Sequence, residues 1–142
     1  MKFMSRYQVK VGNLNVIIDD SVLYTNSDEW IKVEGKNARI GITDFAQKQL
    51  KDIVGIDLPK KDSNISKNGT LAVLESVKAT AEVYSPIDGK VVETNERLLD
   101  EPELINKEPY DNGWIAVIEM NNFNKEEFLT HNQYVENISK RK

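Results

Sequence analysis

The side chain in this sequence best placed to do chemistry is a lysine set between two strand-like segments. In the run Leu71-Ala-Val-Leu-Glu-Ser-Val-Lys78-Ala-Thr-Ala-Glu-Val-Tyr84, the apolar residues Leu71, Val73, Ala79, Ala81 and Val83 recur at alternate positions, the period of strands with one buried face. The chain must reverse between Glu75 and Ala81, which predicts Lys78 at or beside a hairpin tip. Its amine would lie in water and its backbone would be held by the ladder. The ordinary role of a surface lysine is solvation; a lysine fixed at such a tip also suits covalent attachment of a long arm. No competing chemistry is legible. His131 is the single histidine and is expected in the last turn of a surface helix rather than as a base. No Ser/His/Asp group, metal-ligand spacing or phosphate-cradling glycine loop accompanies it, so the chain reads as catalytically inert by itself.

Composition narrows the classes further. The 142 residues, 39% of them hydrophobic, suit one domain with one modest core. There is no cysteine, hence no disulfide, thiolate metal site or thiol nucleophile, and any redox sulfur must be brought in. A net charge of −4 argues against nucleic acid, which needs a clustered Lys/Arg surface. The only basic cluster, Ser139-Lys-Arg-Lys142, reads as a frayed, solvated tail. Acidic residues gather instead between Glu93 and Asp111 (Glu93, Glu96, Asp100, Glu101, Glu103, Glu108 and Asp111). They serve solubility or form a docking surface for basic patches on partners. No apolar run is long enough to span a bilayer, and Met1-Lys-Phe-Met-Ser-Arg-Tyr7 lacks the apolar stretch of a secretory signal. A cytoplasmic protein without membrane association is the expectation.

The elements that must position Lys78 are mostly strands and turns. Residues 7–11 and 14–18 predict a hairpin across Gly12-Asn13, and Trp30–Val33 with Ala38–Ile42 predict another around Gly35. Asp44, with Gln47 three residues on, predicts the capping box of a short helix with Lys48 and Lys51 near its C-terminal end. Residues 52–58 read as a strand stopped by Pro59. Pro86-Ile-Asp-Gly89 marks a turn before Lys90-Val-Val92, and Asn112-Gly113 precedes a strand over 114–120. The C-terminal segment changes period: Asn124 as N-cap, Glu127 at the third helical position and Phe123 with Phe128 as a hydrophobic staple predict a helix over about 125–131, with Tyr134, Val135 and Ile138 supporting a further turn or two. Trp30, Trp114, Phe45, Tyr84 and the phenylalanines are expected to pack the core. The fold class is therefore mainly β, with a short internal helix and a C-terminal helix.

The attachment motif Glu75-Ser76-Val77-Lys78-Ala79 resembles that of the glycine cleavage system H protein family. The likeness extends in family order through Tyr24-Thr-Asn-Ser-Asp-Glu-Trp30, Gly41-Ile-Thr-Asp-Phe-Ala-Gln47, Asp52-Ile-Val54 with Leu58-Pro59, Tyr84-Ser-Pro-Ile-Asp-Gly-Lys-Val-Val92, Pro102-Glu-Leu-Ile-Asn106, Pro109-Tyr110 and Gly113-Trp114. It covers roughly residues 22 to 137, leaving about 1–21 as an N-terminal extension and about 123–142 as a C-terminal helix and tail of one lipoyl-carrier domain. A set of motifs this long and ordered is specific, whereas Val-Lys-Ala alone is weak.

The resemblance implies a barrel-sandwich hybrid, the lipoyl/biotinyl-like architecture, with the modified lysine at a hairpin tip. It implies lipoate joined to Lys78 by an amide, made by a lipoate ligase or lipoyltransferase, with Glu75, Ser76, Val77 and Ala79 presenting it. An amide removes the ammonium charge, so the arm can lie against the protein as well as swing. The implied role is a non-catalytic shuttle for the aminomethyl group of glycine between the P protein (the decarboxylase), the T protein (the aminomethyltransferase) and the L protein (dihydrolipoamide dehydrogenase). Tethering then supplies the local concentration. The cleft that shelters the family's loaded arm falls here on Ser27, Glu29, Gln49 and Glu82, and Glu29 would face the cargo's protonated amine.

This sequence departs from the family at several positions. Asp28 stands where the family commonly has histidine, Lys51 and Gly55 stand where it has glycine and an apolar or aromatic residue, and Asp62 and Asn68 replace turn glycines. Asp and Asn tolerate left-handed backbone, so those turns are expected to survive. Three other classes stay open at this point. One is an H-like lipoate-binding protein serving heterodisulfide-reductase-like sulfur oxidation or lipoate relay. Another is a biotinyl carrier or a 2-oxoacid dehydrogenase lipoyl domain, although Lys78 lacks flanking methionines. The last is an interaction module whose lysine stays unmodified.

Overall fold

The computed structural model describes residues 5–141. Met1–Met4 of the opening run, including Phe3, and Lys142 of the basic tail lie outside the described residues. Strands β1 (Arg6–Val11) and β2 (Leu14–Asp19) form the expected N-terminal hairpin. Gly12 at its turn has φ 61°, a conformation glycine adopts without a Cβ penalty. Next come β3 (Leu23–Tyr24), β4 (Glu29–Glu34) and β5 (Asn37–Ile42), then helix α1 (Asp44–Leu50) and β6 (Ile53–Asp57). The central part of the chain is β7 (Asn64–Ile65), β8 (Thr70–Ser76), β9 (Thr80–Tyr84) and β10 (Gly89–Thr94). The short helices α2 (Arg97–Asp100) and α3 (Leu104–Lys107), strand β11 (Ala116–Met120), one 3-10 turn at Lys125–Glu127 and helix α4 (His131–Lys140) complete it.

All strand pairs are antiparallel. One sheet runs β3-β4-β5-β11-β10-β7, a second β6-β8-β9, and β1-β2 stands as a ribbon of its own. The fold is mainly β, as the sequence predicts. Two apolar clusters hold it. The larger joins the two main sheets through Ile31, Ile40, Leu74, Val83, Val91 and Ile118. The smaller packs the β1-β2 ribbon and α4 around Tyr24, Trp30, Phe45, Tyr134 and Ile138. Close approach explains Gly41: a Cβ there would lie 2.7 Å from the Trp30 indole, which is buried and donates its Nε1–H to the Pro109 carbonyl at 2.9 Å.

Five local expectations are corrected. The alternation read along β8 breaks at a register shift between Thr70 and Ala72. The resulting bulge places Leu71 and Ala72 both inside, and Leu74, not Val73, continues the buried row. The α1 cap is Thr43, whose side chain accepts the Ala46 N–H at 3.1 Å. Asp44 is instead buried, accepting the Ile17 N–H at 2.8 Å and the Gln47 side-chain N–H at 2.8 Å, so it fastens the helix to β2. Asn124 does cap a turn, and Phe123 and Phe128 do stack 5.5 Å apart. That turn is a single 3-10 turn because Leu129 is drawn into a bridge with Tyr24. The chain restarts as α4 behind Thr130, which forms a capping box with Gln133. His131 therefore opens the helix, its Nδ1 2.6 Å from the Tyr7 hydroxyl. Tyr84 and Phe123 are exposed, and Trp114 is half-buried under the Arg39 guanidinium.

Lys51, Asp62 and Asn68 all carry positive φ (68°, 71° and 70°), so the turns survive the loss of their glycines. Gly55 pairs with Glu75 across β6-β8, and a Cβ on it would come within 3.2 Å of the Glu75 carboxylate. The change there is on the sheet surface.

Candidate functional site

The β8-β9 hairpin ends where the sequence places it, with Val77, Lys78 and Ala79 exposed beyond the last ladder pair. Its tip is tied within itself. The Ser76 N–H donates to the Ala79 carbonyl at 2.8 Å. The Ser76 hydroxyl donates to the same carbonyl at 2.9 Å and accepts the N–H groups of Lys78 at 3.2 Å and Ala79 at 3.0 Å. The Val77 N–H reaches the Asp52 carbonyl at 2.9 Å, anchoring the tip to the segment before β6. Ser76 fixes the lysine's backbone, while Glu75 lies beside Gly55 one pair back. The Lys78 side chain folds toward α1 and donates from Nζ to the Gln49 carbonyl at 3.2 Å.

That contact lies at the edge of a cavity of about 190 Å³ that brings together Ser27, Glu29, Gln49 and Glu82. Asp28 also lines it, and its floor is apolar: Ile42, Ala46, Leu50, Leu74, Ala81 and Val83. The polar rim and hydrocarbon floor come from different elements. Ala81 and Val83 of β9 and Leu74 of β8 face Ala46 and Leu50 of α1, and the 25–29 turn closes one side. Glu82, on the outer face of β9, hydrogen-bonds to the Thr70 hydroxyl.

Glu29 differs in kind from the other three, being 2% exposed. Its Oε1 accepts the hydroxyls of Ser27 at 2.6 Å and Thr25 at 2.7 Å, and its Oε2 accepts the Tyr84 N–H at 3.2 Å. Burial pushes its carboxyl above the ordinary glutamate value. The three hydrogen bonds oppose that, and the Asp28 charge adds to it. A carboxylate held this way, with neutral donors only, is arranged to receive a cation entering from the cleft. Thr25 and Tyr84 are not legible as site residues; the Thr-x-Ser-x-Glu spacing over 25–29 is a signal for Thr25, whereas Tyr84 acts through its backbone from 55 positions away and leaves none.

Asp28, which stands where the family commonly has histidine, is tied on both carboxylate oxygens. With φ 72°, it accepts the Tyr134 hydroxyl at 3.0 Å and a fork from Arg141, at 2.7 Å to Oδ1 and 3.1 Å to Oδ2. The basic tail is thereby corrected as well: Arg141 is held, and Lys140 pairs with Glu136 at 3.3 Å. Within the acidic stretch, Asp111 takes two hydrogen bonds from Arg6 at 2.8 Å each, and Arg97 pairs with Glu101 at 3.0 Å. Among the described residues no cluster could hold a metal ion, and no helix is long and apolar enough to cross a membrane.

Comparison with known proteins identifies relatives along the whole site. The family described as Glycine cleavage H-protein matches residues 22–142. A probable glycine cleavage system H protein of Aeropyrum pernix is 48% identical over 136 residues, covering 95% of each chain. The glycine cleavage system H protein of Geobacillus kaustophilus is 46% identical over 112 residues, 78% of this chain and 88% of its own. Among solved structures, a glycine cleavage system H protein from Mycobacterium marinum superposes with a TM-score of 0.76 at 29% identity, covering 82% of this chain and 95% of its own.

Proposed function

This chain belongs to the glycine cleavage H-protein family, and from that membership we propose that it is the system's carrier, with lipoate joined to Lys78 and glycine's aminomethyl group as cargo. The observation that supports this most is the meeting of Lys78 with a half-apolar cleft containing a buried carboxylate. The residues fit the group. Six apolar side chains suit a hydrocarbon arm, and Glu29 suits a protonated amine. When bound, lipoate supplies the two sulfurs that this cysteine-free chain lacks.

The chain's own residues present, shelter and release. Ser76 holds the tip so that the lysine's direction is fixed before a ligase or transferase meets it. Once the amine is an amide, its charge is gone and the Gln49 carbonyl no longer holds an ammonium. The side chain is then free to move between the cleft and partner active sites. Glu29 holds the cargo's ammonium away from bulk water. Nothing in the site acts as an acid, base or nucleophile on the cargo, so the chemistry belongs to the partners: the P, T and L proteins. The exposed carboxylates of Glu93, Glu96, Asp100 and Glu103 suit docking to basic surfaces on those partners.

Glycine-dependent exchange of labelled bicarbonate by P protein, with this chain after confirmed lipoylation, tests the proposal. Exchange is expected, and it should vanish with Lys78→Ala. No exchange with active P protein and fully lipoylated carrier would overturn the assignment.

A further inference from the structure

Helix α4 and the 25–29 turn are far apart in sequence yet share a continuous polar network at the cleft wall. The Arg141 guanidinium is braced on three sides. It forks onto Asp28, donates to the Asn137 side chain at 2.8 and 3.1 Å, and sits 5.4 Å above the Phe45 ring of α1. The Tyr134 hydroxyl donates to Asp28 and lies 2.7 Å from the Thr43 hydroxyl, the cap of α1. A second tie joins the Asn137 side chain to that of Asn26 at 3.0 Å. The turn itself is demanding. Asp28 is in the left-handed region, its carbonyl accepts the Thr43 N–H at 3.0 Å, and the residues on either side, Ser27 and Glu29, line the cleft with it.

We infer that Arg141 is a positioning residue for the cleft: by forking onto Asp28 it fixes the turn that carries Ser27 and Glu29 and neutralises the carboxylate beside them. Without that neutralisation, two unpaired carboxylates would stand at adjacent positions on one wall. The turn would then have charge repulsion as well as backbone strain to relax. With it, Glu29 is the only carboxylate of this turn left without a cationic partner, so a cationic cargo has one preferred seat. The geometry also requires a fork. Lysine is a point charge and cannot hold both Asp28 oxygens and Asn137 in one plane. The inference rests on the carrier reading for its consequence, but not for its structural half.

The test uses Arg141→Ala and Arg141→Lys in the full chain, with melting temperature as a control for folding. In the unmodified proteins, amide exchange at Thr25, Asp28, Glu29 and Thr43 reports the turn directly. In the lipoylated and loaded proteins, the rate of cargo loss reports the cleft. Arg141→Ala is expected to speed exchange at these amides about fivefold, the equivalent of one good partly exposed pair. Cargo should be lost faster in parallel, and Arg141→Lys should recover only part of either. Unchanged exchange would overturn the inference. Faster exchange with unchanged cargo lifetime would also overturn it, leaving the carrier reading intact. A wild-type chain that takes no cargo would remove the carrier reading, and exchange alone would then decide whether Arg141 holds the turn.

Discussion

Two turns flank the cleft, and they are stabilised in opposite ways. The Lys78 tip is local: Ser76, Lys78 and Ala79 satisfy one another within four residues, and the Val77 N–H reaches out to the neighbouring Asp52 carbonyl. The 25–29 turn also has internal bonds, but its Asp28 is fixed by Tyr134 and Arg141, more than a hundred residues away. The difference matches the work proposed for each. A tip that must be recognised by several enzymes and must release its arm needs order without burial. A wall that must hold a buried carboxylate needs partners from the core, because local bonds alone do not offset the cost of desolvating it.

Removing the long-range support should have the largest effect. Tyr134→Phe deletes a buried hydroxyl that joins Thr43 to Asp28 and should cost about 2 kcal/mol in urea unfolding. A loss near zero would mean that the wall is as self-sufficient as the tip. The next test is pH. Glu29 titrates above its ordinary value in the fold because it is buried, so the folded chain holds that proton more tightly than the unfolded chain. Its contribution is complete below the ordinary glutamate pKa and is lost as pH rises through the raised one. Urea titrations across that window should show this slope in the wild type relative to Glu29→Gln, which has no group to titrate. Equal slopes would mean that the carboxylate is not desolvated. Lys51 ends α1 at φ 68°, ψ −155°, a region suited to glycine, so Lys51→Gly should raise stability by about 1 kcal/mol. Ser76→Ala should cost least, about 0.5 kcal/mol, because exposed bonds are replaced by water. Its visible effect should be faster exchange at the Lys78 and Ala79 amides, with the melting temperature hardly moved.

What was legible in the sequence follows the same division. The tip, the N-terminal hairpin, the β4-β5 hairpin and the β6 strand were readable because their signals are local: alternation, glycine turns and a terminating proline. The six-stranded order was not readable, since it depends on pairings such as β5 with β11 between distant segments. The four cleft residues were placed by resemblance to a family, and the structure brings them to one cavity. That Glu29 is buried follows only from the fold. The misread ends have the same cause. Asp44 has the side chain of a cap, but Ile17 claims its carboxylate. Asn124 does start a turn, but Tyr24 claims Leu129 before a helix can continue. Arg141 reads as a tail residue because its partner lies 113 positions away.

The most direct test of the central claim is a peptide-resolved mass spectrum of the chain purified from its native host. The account predicts a lipoyl group on the peptide containing Lys78 and on no other lysine. A chain found only with unmodified Lys78, under conditions where the host lipoylates its other carriers, would contradict it.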